Sequence, residues 1–211
     1  MASGIEVEGG RARQGRATRD AIVAAATRLM HLRGYQNTSL DDVLRESGVG
    51  KGNFYYHFRS KEDLGYAILD GIVAGFLQRT LEPCFSDPSG LRLGQIRCFL
   101  DRVLDAQRQS RCVGGCPMGN LASELADVHD GFRARLASVF EAWRERLTVA
   151  LREAQARGEA GPDCDPEAVA RFLVAALEGA ILLTKVTKDI RHMEQCVAEL
   201  KRYLSLYEVR R

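Results

Sequence analysis

The sequence predicts an all-α fold, and three observations carry that prediction. Apolar residues recur at three- and four-residue spacing through most of the chain, as in Ile22, Ala25, Ala26, Leu29 and Leu32, or Ile96, Phe99, Leu100, Val103 and Leu104. No strand-like alternation competes with this spacing, and no internal repeat or low-complexity tract interrupts it. Residues 39–64 compress two short helical patterns, a glycine-marked turn and the start of a further helix into one run. The expected architecture is an N-terminal three-helix helix-turn-helix domain followed by a C-terminal helical domain, about nine helices in all.

Residues 1–15 are rich in Gly, Arg and small side chains and are expected to form a disordered basic arm. Arg11, Arg13 and Arg16 are its candidates for a DNA minor groove, with a solvated tail as the plainer reading of the first ten residues. The spacing predicts a first helix over Thr18 to Arg33, which Gly34 ends. Ser39 and Asp42, three apart, read as a reciprocal cap for a second helix whose apolar face is Leu40, Val43 and Leu44. Gly48 stops it in a left-handed exit, and Val49 plugs the corner. A third, short helix follows over about 50–56, and Ser60-Lys61-Glu62-Asp63 opens a fourth. Two short helices about a glycine turn, the second bearing lysine, asparagine and tyrosines, are the pattern of a DNA reader. The expected boundaries are 16–62 for the DNA-binding domain and 63–211 for a ligand-binding and dimerisation domain.

Charge supports this division. The net charge is only +2, yet ten basic face four acidic side chains between Arg11 and Lys61, an excess of six. Residues 62–211 hold twenty basic and twenty-two acidic side chains. Positive charge therefore sits where a polyanion would bind.

The stretch resembles the TetR family of transcriptional regulators. The resemblance rests on Thr38-Ser39, Gly48-Val49, Lys51-Gly52, Phe54-Tyr55-Tyr56-His57-Phe58 and Ser60-Lys61-Glu62-Asp63-Leu64, within a match over about Arg16 to Leu69. One departure is Gly50, where the family usually has serine; glycine caps only ~0.1–0.5 kcal/mol less well. The resemblance implies a homodimeric repressor on palindromic double-stranded operator DNA, with the third helix in the major groove. Lys51 and Asn53 are then the candidates for base edges, and Tyr55 and Tyr56 for phosphates, sugars or a thymine methyl. Thr38, Ser39, His57 and Lys61 are the phosphate candidates. It further implies a small-molecule effector that shifts the dimer out of its DNA-binding spacing.

The fourth helix is expected from Ser60 to about Leu81, before a loop marked by Pro83 and Pro88. Further helices are expected to about Gln109, from Pro117 to Ala126, and from a cap at Asp130 to about Gly158. Asp165-Pro166 opens a helix to Thr187 that is apolar on more than one face, and a last helix runs from Ile190 to Tyr207. Phe172, Ala176, Gly179 and Leu183 on the former, with Met193, Val197, Leu200 and Leu204 on the latter, are the expected dimerisation residues. A purely intramolecular core is the alternative.

Gly115-Cys116-Pro117-Met118-Gly119-Asn120-Leu121 resembles a TetR subgroup that includes regulators of reductases and detoxification genes, some responding to reactive electrophiles. Cys116 stands at the N-cap of the Pro117 helix, where amides and the helix dipole favour an anion. Its thiol is expected to fall from ~8.5 towards neutrality, with Cys112 as resolving partner. Candidate ligand-binding residues are Phe99, Cys112, Cys116, Met118, Asn120, Phe140, Trp143 and Phe172, each with ordinary core packing as the alternative. His129 and Cys84 with the C-x3-C pair make a weaker metal reading, so neither metal nor cofactor is expected.

The remaining features exclude other classes. The acidic start is no secretory signal, and the most apolar stretch, Phe172 to Leu183, is broken by Glu178 and shorter than the ~18 residues of a membrane span. Six cysteines in 211 residues do not make a small disulfide scaffold, so a reducing cytoplasm is the expected setting. An enzyme with Cys116 as nucleophile lacks an assignable base, and a helical protein with a vestigial DNA motif would not keep the local basic excess.

Overall fold

The computed structural model describes the backbone of residues 3–209 and the side chains of residues 13–209. Among the described residues the helices are α1 (Ser3–Arg33), α2 (Leu40–Ser47), α3 (Lys51–His57), α4 (Lys61–Phe76 and its continuation below), α5 (Arg92–Gln109), α6 (Pro117–Leu125), α7 (Asp130–Ala156), α8 (Pro166–Thr187) and α9 (Arg191–Ser205). An isolated antiparallel bridge joins Ala160 to Glu208. The all-α prediction holds. The chain forms two compact units, Met1–Ile72 and Val73–Arg211. The division falls ten residues later than expected, because Leu64 and Ile68 of α4 are buried and group with the first unit.

In that unit Ile22, Ala25, Ala26 and Met30 of α1 are buried, and α1 packs on α2 and α3. Leu32, at the edge of the same face, is exposed. Val43, Phe54 and Phe58 close the core, and Arg19 lies 5.1 Å over the Phe58 ring. The backbone is helical from Ser3, so the segment expected to be a disordered arm extends α1 instead. No proline interrupts 3–33, and propagating a helix costs far less than starting one. Arg13 and Arg16 are exposed on it, whereas residues 1–2 and the Arg11 side chain lie outside the described residues.

The reciprocal cap is present: Ser39 Oγ accepts from the Asp42 amide at 3.1 Å, and the Asp42 carboxylate accepts from the Ser39 amide at 3.1 Å. Those bonds hold the Asp42 carboxyl below its usual range. Gly48 ends α2 at φ 68°.

In the second unit Pro83 does not end the fourth helix. The chain passes through a π-helical turn, Leu77–Leu81, where the Glu82 amide donates to the Leu77 carbonyl, and continues as Glu82–Phe85. Pro83 has no N–H for the Arg79 carbonyl four residues back, and Arg102 Nη1 of α5 supplies that donor at 2.9 Å. A disulfide, Cys84–Cys98, ties the same segment to α5 and departs from the expectation of free thiols. His129, rather than Asp130, caps α7: its Nδ1 accepts from the Phe132 amide at 3.4 Å. Asp165 caps α8 as expected, accepting from the Glu167 and Ala168 amides at 3.1 and 3.0 Å.

Met193, Val197, Leu200 and Leu204 require a correction. All four are buried, and α9 packs on α8 and α5 of its own chain. Their stripe is protomer core rather than a surface for a second copy. On α8 the inner face is Val169, Leu173, Leu177 and Ile181, while Phe172, Gly179, Leu182, Leu183 and Val186 stay exposed.

Gly48 and Gly50 give a contrast that checks the turn. An added Cβ meets nothing within 4 Å at either, but only Gly48 has positive φ. Gly48→Ala is expected to lose about 1–2 kcal/mol in urea unfolding. Gly50→Ser is expected to gain about 0.1–0.5 kcal/mol, because the serine oxygen can accept from a helix amide and glycine has no such acceptor.

Candidate DNA interface and effector-domain site

Phe54 is the anchor of α3: it is fully buried, 5.7 Å from the Phe58 ring and edge-on to Tyr55 at 5.3 Å. With Phe54 turned inward, Lys51, Gly52, Asn53, Tyr55 and Tyr56 all face solvent. Tyr56 is 82% exposed, so it contributes little to packing within its own unit. Two tyrosines, an amide and an ammonium on one open helix face can offer phosphate, sugar and base-edge contacts together.

The four phosphate candidates fare differently. Thr38 is fully buried, and its Oγ1 donates to the Gly34 carbonyl at 2.8 Å, so it closes the turn after α1 and is withdrawn as a contact. The Ser39 hydroxyl is exposed but committed to the cap, donating to the Asp42 carboxylate at 2.6 Å. His57 is half-buried with its ring 4.9 Å from that of Tyr56. Lys61 Nζ lies 4.5 Å over the Tyr35 ring and 3.5 Å from the Gln36 carbonyl, which fixes its charge at the start of α4. Burial, with the neighbouring Glu62 second, raises the Tyr35 hydroxyl to about 12.

In the second unit the ligand candidates separate into three places. Phe99, Phe140 and Trp143 come together, with Phe76 and Phe85, as an aromatic cluster: Phe76 meets Trp143 at 4.6 Å, Phe99 meets Trp143 at 5.9 Å and Phe140 meets Trp143 at 6.1 Å. Phe172 is apart from them, exposed and against Tyr203 at 5.0 Å. Cys112, Cys116, Met118 and Asn120 form the third group around the start of α6.

Cys116 does cap α6: the Gly119 amide donates to its Sγ at 3.3 Å. Its environment overturns the expected acidity. The thiol is buried beside the Glu178 carboxylate of α8, and burial first, then that charge, push it far above its usual range. The Gly119 amide pulls the other way and is outweighed. Burial also raises the Glu178 carboxyl. A Cβ on Gly119 would stand 2.7 Å from Glu178 Oε2, so any larger residue here would push the Glu178 carboxylate aside. Asn120 donates to the Gly114 carbonyl at 2.7 Å and accepts from Lys185 Nζ of α8 at 2.8 Å. The motif is therefore a polar junction between α6 and α8.

Comparison with known proteins decides the family. Residues 22–68 match the family described as bacterial regulatory proteins, tetR family, and residues 93–200 match the tetracyclin repressor-like C-terminal domain. The chain belongs to the TetR family. Transcriptional regulator AcuR of Cereibacter sphaeroides is 35% identical over 79% of this chain and 75% of its own. HTH-type transcriptional repressor DhaR of Mycobacterium sp. strain GP1 is 32% identical over 84% and 87%. Among solved structures, a TetR regulator from Chloroflexus aurantiacus superposes with TM-score 0.83 at 31% identity, covering 93% of this chain and 98% of that one. The reduced form of Escherichia coli NemR gives 0.79 at 26% identity, covering 88% and 96%.

As a TetR-family member the protein is a DNA-binding transcription regulator. Glu178, Lys185 and Lys188, which complete the α6 junction, were not among the sequence candidates. Glu178 interrupts the longest apolar run, and that interruption was the one available signal. His129 and Cys84, weighed as metal ligands, serve as helix cap and disulfide partner. No helix among the described residues is long and apolar enough to cross a membrane.

Because burial raises the folded Glu178 carboxyl above its ordinary value of 4.5, the native state holds its proton more tightly than the unfolded chain. That contribution is complete below about pH 4.5 and is lost as pH rises through the folded value. Glu178→Gln is therefore expected to raise Tm relative to wild type at pH 8 and to lose that advantage near pH 4, in melts across this range.

Proposed function

We propose that the protein is a cytoplasmic, homodimeric TetR-family repressor that binds palindromic operator DNA and is released by a small noncovalent effector. The observation that carries the reading is the open face of α3, Lys51, Asn53, Tyr55 and Tyr56, held outward by the buried Phe54. DhaR and NemR, to which the chain is similar, are named as repressors, which favours that sign.

A second copy is the proposed cover of the outer face of α8. Val186 is 71%, Leu182 58% and Leu183 53% exposed, a contiguous apolar stripe beside Phe172, Ala176 and Gly179. The small residues let two helices approach closely. The same helix carries Glu178 and Lys185 on the side that meets α6, so a change at the Cys116–Asn120 motif acts on the helix proposed to set the dimer spacing.

The motif supports membership of the subgroup that shares its glycine, cysteine and asparagine. A thiol-based switch through Cys112 and Cys116 is not favoured, since both are buried and Cys116 is held as a thiol by Glu178. The same protonation leaves no activated nucleophile, and no catalytic step is assigned.

Gel shift on the region upstream of the protein's own gene, across a salt series, tests the reading. A steep loss of affinity with salt and a preferred palindrome are expected. Asn53→Ala is expected to cost about 1–3 kcal/mol on that site and far less on random duplex. Equal affinity for every duplex would overturn the assignment. Leu183→Glu with Val186→Glu is expected to give a folded monomer in sedimentation and to abolish high-affinity binding; an unchanged dimer would move the interface elsewhere.

A further inference from the structure

An open hollow of about 500 Å³ lies between the loop after α5 and the corner joining α8 to α9, lined by Arg108, Arg111, Cys112, Lys188, Asp189 and Ile190. Its backbone is unusual. Among the described residues, three that are not glycine have positive φ: Arg111 at 53°, Cys112 at 60° and Lys188 at 57°. All three line this hollow. Lys188 is the left-handed cap of α8, and Arg111 and Cys112 turn the chain out of α5, so two helix ends fix the backbone on both sides of the hollow.

The charges point to the ligand class. Of the three cations lining the hollow Arg108 is paired with carboxylates outside it, which leaves Arg111 and Lys188, and the one lining carboxylate, Asp189, is already engaged by Arg191, whose Nε lies 2.8 and 3.0 Å from its two oxygens. Arg108 is held by Asp105 at 3.1 Å and Glu194 at 2.8 Å, which fixes its guanidinium at the rim. Arg111 is exposed and makes no ion pair among the described residues. Lys188 Nζ donates to the Cys112 carbonyl at 3.3 Å, bridging the two walls and leaving two further N–H donors. Ile190 supplies an apolar wall.

We propose that this hollow binds the oxyanion end of a small organic acid or phosphate ester, gripped by Arg111 and Lys188 with Arg108 at the rim and its carbon skeleton against Ile190. Such a ligand draws the loop that leads into Cys116 towards the C-terminus of α8. Its role as the effector rests on the repressor reading above, but binding at the hollow does not.

Calorimetric titration of the full chain with sodium succinate and with sodium phosphate, against sodium chloride at equal ionic strength, tests it. Saturable binding is expected for at least one of the two, and the tighter arm tells carboxylate from phosphate. Arg111→Gly and Lys188→Gly should each weaken it about ten- to a hundredfold, the loss of one charged hydrogen bond. Glycine adopts the left-handed backbone freely and the Arg111 side chain makes no bond among the described residues, so Arg111→Gly should melt at or above the wild-type temperature, which separates a lost contact from a damaged fold. No saturable heat with either anion, or unchanged affinity in both variants, overturns the site. A chain that binds succinate through these residues yet shows no operator preference in gel shift would overturn the repressor reading and leave the hollow standing.

Discussion

Burial of Phe54 is the constraint on which the proposed DNA-binding face depends. A seven-residue helix is too short to persist in water alone, so α3 exists because its one large inward side chain is buried against Phe58 and the helix packs on α1. Emptying such a site costs about 3–5 kcal/mol, against a total margin of about 5–15 kcal/mol for a domain. The same anchor sets the rotation of α3, and the rotation decides that Lys51, Asn53, Tyr55 and Tyr56 point away from the core. Packing and recognition are thus two sides of one helix, joined by the left-handed turn at Gly48.

The second unit joins its helices with polar bonds placed where the backbone needs them. Arg102 completes the carbonyl that Pro83 leaves open, and Asn120 links the loop before α6 to Lys185 of α8. Glu178 and Cys116 both lie against Gly119, in a dry setting where neither carries charge easily. Contacts of this kind are directional, so a small displacement of α6 is transmitted to α8 rather than absorbed by sliding apolar surfaces. That coupling is what the proposed effector response would use.

What the sequence made legible was local. The cap at Ser39, the stop at Gly48, the Asp165-Pro166 start and the apolar stripes all follow from residues a turn or two apart, and all are present. The misreadings came from partners distant in sequence. Pro83 looked like a helix end because the donor that rescues it belongs to another helix. Cys116 was placed correctly at its cap, yet its acidity is set first by burial and then by a carboxylate far along the chain. The stripe on α9 was visible, but periodicity names a face and not its occupant, and α5 and α8 of the same chain cover it. Thr38 was placed beside the correct turn, and only the fold shows its hydroxyl turned inward.

Hydroxyl-radical footprinting on the region upstream of the protein's gene tests the central claim most directly, because it reports where α3 meets the duplex and how many copies do so. Two protected patches related by a dyad and about one helical turn or a whole multiple apart, at about 34–36 Å per turn, are predicted, both lost when Tyr56 and Asn53 are replaced by alanine. A single unpaired patch, or protection that survives that double substitution, would contradict the account.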